Sequence, residues 1–246
     1  MNRSLTAASM AALFGCFCSE AAALTLGIDP ARSSIEITTT TADDGFGPYV
    51  GQASAPGGFA TTLSGMVEID VTGSTLQLLS GSALIADDEE LFDPGAASAS
   101  FASTYPGVTI LGGQDFSTAT RGLGFTIEDA APRSLVATVV ESGSPTVDLT
   151  QGVADLSAGN PPQVPLGFLG LTGAGVTTGP GTYEVVGQEA TLTLPFEFTI
   201  EIAGLISTST TYAGEIVATG VIPEPTSAAL VASVVGLVAA SRSGKR

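Results

Sequence analysis

The chain has 246 residues, 44% of them hydrophobic, and carries 24 acidic side chains against seven basic ones, a formal net charge of −17. It contains no histidine and no tryptophan, and its single lysine is Lys245 near the C-terminus. These absences exclude a histidine-based triad, a lysine base in the body of the chain and a histidine-ligated zinc site, and the acidic balance excludes a binder of phosphate backbones.

At the N-terminus Arg3 supplies a small positive region, Leu5 to Phe17 an apolar stretch, and Ala21, Ala22 and Ala23 the small residues that a signal peptidase accepts before Leu24. This pattern predicts a signal helix over residues 1–23, cut between Ala23 and Leu24. An alternative takes Leu13-Phe14-Gly15-Cys16 as a lipoprotein box with Cys16 acylated, although Phe14 is bulky for the small residue expected before the glycine. Cleavage after Ala23 removes both cysteines, Cys16 and Cys18. The mature chain then forms no disulfide even in an oxidising compartment, and a packed core must hold it. The span 24–222 is long enough to supply one as a single domain.

Along that span the apolar pattern has a period of two residues. Strands are predicted at Leu24 to Ile28 and Ser34 to Thr40. A hairpin follows, in which Leu63, Val67, Ile69 and Val71 oppose Ser64, Glu68, Asp70 and Thr72 before the chain reverses at Gly73-Ser74 into Thr75 to Ala86. Further strands fit Leu123 to Glu128, Ser134 to Glu141, Pro145 to Leu149 and Thr182 to Val186. The clearest alternation runs from Ala190 to Ala203, with Leu192, Leu194, Phe196, Phe198, Ile200 and Ile202 on one face and Thr191, Thr193, Glu197, Thr199 and Glu201 on the other. Pro195 falls on the polar face, which predicts an edge or a bulge there. A last strand is expected from Leu205 to Thr219. Two long loops are predicted, from Ala86 to Thr120 and from Ser157 to Gly181, the second rich in Gly and Pro. The expected fold is all-β, an antiparallel β-sandwich or barrel, with the signal helix before it and one transmembrane helix after it.

Catalytic chemistry is poorly provided for. Only carboxylates remain as acids or bases, and a glycosidase needs a spaced pair of them and aromatic platforms, whereas the chain has four tyrosines and no tryptophan. No enzyme activity and no cofactor are expected. The run Asp87-Asp88-Glu89-Glu90 offers hard oxygen ligands, but consecutive side chains diverge where a calcium loop needs alternating ones, so it reads as a solvated loop and no metal site is assigned. Asp43-Asp44-Gly45 reads as a turn. Between Leu24 and Ile222 twenty-two Asp and Glu face only Arg32, Arg121 and Arg133, a surface suited to solvent, cations or basic partners.

Two resemblances add to this reading. The segment Ile28-Asp29-Pro30-Ala31-Arg32-Ser33-Ser34-Ile35 resembles the opening strand signature of the periplasmic polyisoprenoid-binding barrel family, with Arg32 where that family has a histidine. The resemblance implies an eight-stranded barrel with an isoprenoid chain in its apolar interior. At the other end, Val221-Ile222-Pro223-Glu224-Pro225-Thr226, the apolar run Leu230 to Val238 and the basic end Arg242 to Arg246 resemble the PEP-CTERM sorting signal of exported proteins, near which an exosortase-type protease is thought to cut.

The tail can be read physically as well. Pro223 and Pro225 hold Glu224 in extended, exposed backbone. The sixteen uncharged residues from Thr226 to Ser241 amount to about 24 Å of helix, enough to cross a bilayer if the cap of Arg242, Lys245 and Arg246 snorkels to the headgroups on the cytoplasmic side. The organisation expected is therefore a signal peptide (1–23), an all-β extracytoplasmic domain (24–222) and a sorting signal (223–246). The functional expectation is a structural or binding protein of the cell surface or exopolysaccharide matrix, first held in the inner membrane. Its partners would be signal peptidase, an exosortase-type protease, the membrane and the exopolysaccharide, with nucleic acid excluded. The alternative is an isoprenoid- or lipid-binding barrel.

Overall fold

Alternation with a period of two residues places successive side chains on opposite faces of an extended chain, and the backbone follows that pattern through almost every described segment. The computed structural model describes residues 23–54, 60–86, 101–157, 164–165 and 173–222. These form seventeen strands and one short 3-10 turn, and every strand pairing is antiparallel.

The strands line up end to end into eight staves of a meander. β1 (Leu24–Ile28) and β2 (Ser34–Asp43) form the first. β3 (Pro48–Val50), β4 (Gln52–Ser54) and β5 (Ala60–Thr72) return as the second. β6 (Thr75–Leu78), β7 (Ala83–Ala86) and β8 (Phe101–Val108) make the third. After the 3-10 turn Thr109–Leu111, β9 (Gln114–Glu128) and β10 (Arg133–Val136) make the fourth. β11 (Val139–Val140) and β12 (Thr146–Ser157) are the fifth, with β13 (Val164–Pro165) paired to the far end of β12. β14 (Ala174–Thr178) and β15 (Gly181–Val186) are the sixth, β16 (Glu189–Ile202) the seventh and β17 (Ser207–Val221) the eighth.

Each stave pairs with the next, and the eighth returns to the first: β17 binds β1 at Gly27↔Thr219 and β2 from Ser34↔Glu215 to Asp43↔Ser207, while β5 holds their opposite edge. The ring is therefore closed, and of the two architectures the sequence leaves open it is a barrel. The seam between the fifth and sixth staves is made by Val139↔Thr182 and Val140↔Gly181, a bridge between Gly143 and Thr178, and the bond from Gly173 N–H to the Val147 carbonyl, 2.7 Å. The two ends are termed lower, where residues 73–74, 137–138 and 187–188 turn, and upper, where residues 44–47, 109–113 and 203–206 turn.

Five staves are interrupted near mid-height or below, at residues 29–33, 79–82, 129–132, 141–145 and 179–180. Each interruption removes a partner from a neighbouring strand, and a buried backbone group left without one costs about 1–3 kcal/mol. Two serines repair this in the same way. The Ser33 hydroxyl accepts from Val217 N–H (2.9 Å) and donates to the Val217 carbonyl (3.1 Å). The Ser82 hydroxyl accepts from Glu68 N–H (3.0 Å) and donates to the Glu68 carbonyl (3.2 Å). Each supplies the acceptor that the N–H beside the break would otherwise lack, while the carbonyl of the same residue also accepts a main-chain N–H, Asp29 to Val217 at 2.8 Å and Leu79 to Glu68 at 2.9 Å.

Inward-facing side chains from all eight staves merge into one core that includes Leu26, Ile35, Leu63, Val67, Ile69, Leu84, Phe125, Ile127, Val147, Tyr183, Leu192, Phe198 and Ile216. Across its middle Phe125, Phe196, Phe198 and Tyr212 pack with ring centroids 5.1 to 6.0 Å apart, separations at which aromatic pairs add to simple burial. The Phe196 ring lies over Gly214 on the next stave, where a Cβ would come within 2.7 Å of it. The Tyr212 hydroxyl reaches across the barrel to Thr120 on the fourth stave, 2.9 Å away. A second, smaller cluster of Ala42, Tyr105, Val108 and Phe116 fills the upper end.

The expected core residues Leu63, Val67, Ile69, Leu192, Leu194, Phe196, Phe198 and Ile200 are buried, and Ile202 is partly buried against them. The strand expected from Leu205 begins at Ser207. Both long loops need correction. Residues 101–108 and 114–120 are paired strand, flanked by β4 and β12, where small polar residues hid the alternation, and residues 174–178 are strand beside β16. Pro195 sits inside a strand paired on both sides. The accommodation lies in its neighbour, which breaks at residues 179–180 and sends Gly179 N–H to the Pro195 carbonyl, 3.1 Å. The predicted signal and transmembrane helices lie outside the described residues, and among the described residues no helix is long and apolar enough to cross a membrane.

Phe198→Ala removes the ring that touches three other aromatics. It is expected to cost about 3–5 kcal/mol in denaturant unfolding, and a loss below about 1 kcal/mol would show that the site collapses around the deletion.

Candidate functional site

A barrel offers three places for function, its interior, its ends and its outer wall. The lower interior is closed by a buried ion pair. In the break between β9 and β10, Asp129 (4% exposed) receives the guanidinium of Arg133 (6% exposed) in a two-pronged contact, with Nε to Oδ2 at 2.8 Å and Nη2 on Oδ1. The same carboxylate accepts from Leu78 N–H at 3.0 Å, and the Asp129 N–H donates to the Leu78 carbonyl at 3.0 Å. The remaining prong of Arg133, Nη1, bonds the Thr178 hydroxyl, which donates to the Gly143 carbonyl at 3.3 Å. Gly143 makes room for this arrangement, since a Cβ there would lie 2.6 Å from Arg133 Nε. One pair thus ties the third, fourth, fifth and sixth staves together at their breaks. Tyr183, on the sixth stave, has its pKa raised above 10.0 by burial, so its hydroxyl stays protonated.

The upper end is tied by Asp44. Its Oδ1 accepts from Phe46 N–H (3.0 Å), and its Oδ2 accepts from the Tyr49 hydroxyl (3.1 Å) and from Ile110 N–H (2.9 Å). Tyr49 in turn accepts from Thr109 N–H (2.8 Å). The turn joining the first two staves is in this way fastened to the 3-10 turn joining the third and fourth. Burial raises the Asp44 pKa, but the hydrogen bonds from Ile110, Phe46, Tyr49 and Gly47 outweigh it and hold the carboxyl below the ordinary 3.8. Below this tie the hydroxyls of Thr40 and Tyr105 are buried without a protein partner.

Two depressions open on the outside. One, about 450 Å³, crosses the first, eighth, seventh and sixth staves and is lined by Glu36, Glu197, Glu215, Thr177 and Pro195. The other, about 420 Å³, lies at the upper end between Asp43, Pro48, Glu201 and Ser209. Their carboxylates can accept hydrogen bonds from hydroxylated or cationic ligands. Among the described residues no three acidic, cysteine or histidine side chains are grouped to hold a metal ion.

Of the residues singled out in the sequence, Ala23 is exposed immediately before β1, while Ala21, Pro223, Glu224, Pro225, Arg242, Lys245 and Arg246 lie outside the described residues, as do Cys16, Cys18 and the acidic run at 87–90. Asp43 to Gly45 form the expected turn, with Asp44 buried inside it. The segment Ile28 to Ile35 builds the first interruption, where Asp29 Oδ1 accepts from Ala31 N–H (3.0 Å), Ser33 fills the gap beside Val217 and Arg32 is exposed. Sequence reading missed the roles of Ser33, Ser82, Asp44 and the Asp129–Arg133 pair. The readable signal was Asp129 and Arg133, an acid and a rare cation flanking the gap between two predicted strands. No family model, no curated protein and no solved structure matches the chain.

Arg133→Met leaves Asp129 buried without its cation and is expected to lose about 3–5 kcal/mol of stability, whereas Asp129→Asn combined with Arg133→Met should recover part of the loss. Equal unfolding midpoints for wild type and Arg133→Met would remove the pair from the architecture. Asp44 adds a pH dependence. A carboxyl held below 3.8 stabilises the fold above that pH, and the stabilisation is lost as pH falls through its folded-state value. The stability gap between wild type and Asp44→Asn should thus be present at neutral pH and shrink below 3.8 in acid titrations followed by circular dichroism.

Proposed function

We propose that this chain is an exported, acidic β-barrel module with a structural or binding role at the cell surface or in the exopolysaccharide matrix, delivered there by its C-terminal sorting signal. The observation that supports a self-filled module over a carrier is the stack of Phe125, Phe196, Phe198 and Tyr212 across the middle of the barrel, where Phe198 is fully buried. A carrier of a long apolar chain needs an open tunnel on the order of a few hundred Å³. The ligand-facing chemistry lies instead on the outer wall, where Glu36, Glu197 and Glu215 present carboxylates beside threonine and serine hydroxyls. That chemistry suits a hydroxyl-rich polymer or a basic partner, and it repels nucleic acid.

The second reading, an isoprenoid or lipid carrier, draws on two observations. Eight antiparallel staves close into a ring, the architecture that the resemblance at Ile28 to Ile35 implies, and the buried hydroxyls of Thr40 and Tyr105 have no protein partner. Solvent extraction of the protein purified from its own cell envelope, followed by mass spectrometry, separates the two. The module reading expects no stoichiometric lipid, and one isoprenoid per chain would replace it with the carrier.

Sorting is tested in the same host. Glu224→Gln leaves the apolar length and the basic cap unchanged, so a plain anchor behaves as wild type. A sorting substrate is expected to accumulate as an uncut, membrane-held form when its carboxylate between the two prolines is lost. Equal size and equal membrane retention for wild type and variant would leave an ordinary C-terminal anchor.

A further inference from the structure

Five valines, Val136, Val139, Val185, Val186 and Val221, are between 47% and 77% exposed, and all five lie at the lower end of the barrel. Val136 and Val139 flank the turn at residues 137–138, Val185 and Val186 precede the turn at 187–188, and Val221 ends the eighth stave. They share one rim. Ile222 extends it, with its N–H bonded to the Gln188 carbonyl at 2.8 Å, so the chain leaves the barrel beside Val186. Among the described residues the upper end exposes Phe46, Val50 and Leu205, but the described body begins and ends at the lower rim.

The exit point decides what faces the rim. Only Pro223, Glu224 and Pro225 separate Ile222 from the uncharged run that begins at Thr226, and three extended residues reach at most about 11 Å. Gly27 pairs with Thr219, so in register Leu24 falls opposite Ile222 and the N-terminal end of the body shares the rim. Whenever the apolar run is in a bilayer, the rim is therefore within about 11 Å of the start of that run. An apolar patch at that distance reaches the interface, where amphipathic surfaces settle at a depth of about 5–10 Å. We propose that the valine rim is a membrane-contact surface, seated in the headgroup layer while the tail is uncut. This rests on the reading of residues 226–241 as a membrane hold. The orientation it gives presents Glu224 at the bilayer surface and turns the upper end away from it. Glu184 and Glu189 near the rim, with no described basic residue beside them, favour uncharged over anionic lipid.

The test uses the uncut full chain in a Cys16→Ser, Cys18→Ser background, with a single fluorophore attached through Val139→Cys, Val186→Cys or, at the opposite end, Phe46→Cys. Each labelled chain is reconstituted into phosphatidylcholine vesicles and floated. The expected result is that all three chains float, and that the Val139 and Val186 probes shift to the blue and are quenched by lipid-borne quenchers while the Phe46 probe stays in water. Chains that float with both rim probes in water would overturn the membrane contact and leave the anchor standing. Chains that do not float would overturn the anchor and the contact together. Rim probes that shift to the blue but ignore lipid quenchers, with cross-links between copies, would make the rim a self-association surface and overturn the proposal as well.

Discussion

Closing the ring is the constraint on which the rest of the molecule depends. An open antiparallel sheet leaves a row of unpaired N–H and C=O groups at each edge, and closure removes both. Here closure passes through five interrupted staves, and an interruption recreates a short edge in the middle of the wall. Ser33 and Ser82 each accept the N–H of the strand beside them, from Val217 and Glu68 respectively, and the carbonyls of those residues also accept main-chain N–H from Asp29 and Leu79. Asp129 does the same for Leu78 with one side-chain and one main-chain bond. At all three breaks a side-chain oxygen takes the neighbour's N–H and a main-chain N–H serves its carbonyl, so a hydroxyl and a carboxylate do the same work.

The interruptions also explain where charge goes inside a barrel that is otherwise apolar. A buried ion pair is tolerated when its remaining donors and acceptors are filled, and the Asp129–Arg133 pair meets that condition by using the groups freed by the breaks: Leu78 N–H on one side, the Thr178 hydroxyl on the other. At the upper end Asp44 uses the free N–H groups of two turns in the same way. With both cysteines confined to residues 16 and 18, these polar ties and the aromatic stack carry the cohesion that a small secreted protein often takes from disulfides. They also oppose the self-repulsion of a strongly acidic surface.

How much of this was legible follows from how each stave is buried. The seventh stave alternates apolar and polar without error because one face meets the core and the other meets water, and the sequence from Ala190 to Ile202 can be read directly as strand. The second and third staves were nearly as clear from Leu63 to Ala86. The segment 101–120 was not, because it extends the barrel upward past the main core, where Ser103 fills a buried place that would be apolar lower down and Thr104 and Ser117 pair on the other face. Closure itself leaves no mark in a local pattern, since it is a register between residues 27 and 219. The serine repairs were hidden for another reason. Buried Ser33 and exposed Ser34 are neighbours, and nothing in the sequence distinguishes the one that bonds Val217 from the one that faces water.

An even number of antiparallel staves has a further consequence, because it returns the chain to the end from which it set out. Leu24 and Ile222 therefore meet at one rim without any linker of their own. The apolar run before Ala23 and the apolar run after Pro225 therefore both join the body at that rim. With an odd number of staves the described body would begin at one rim and end at the other. In the orientation proposed for the rim, the upper end, with its Asp44 tie and its 420 Å³ depression, faces away from the bilayer.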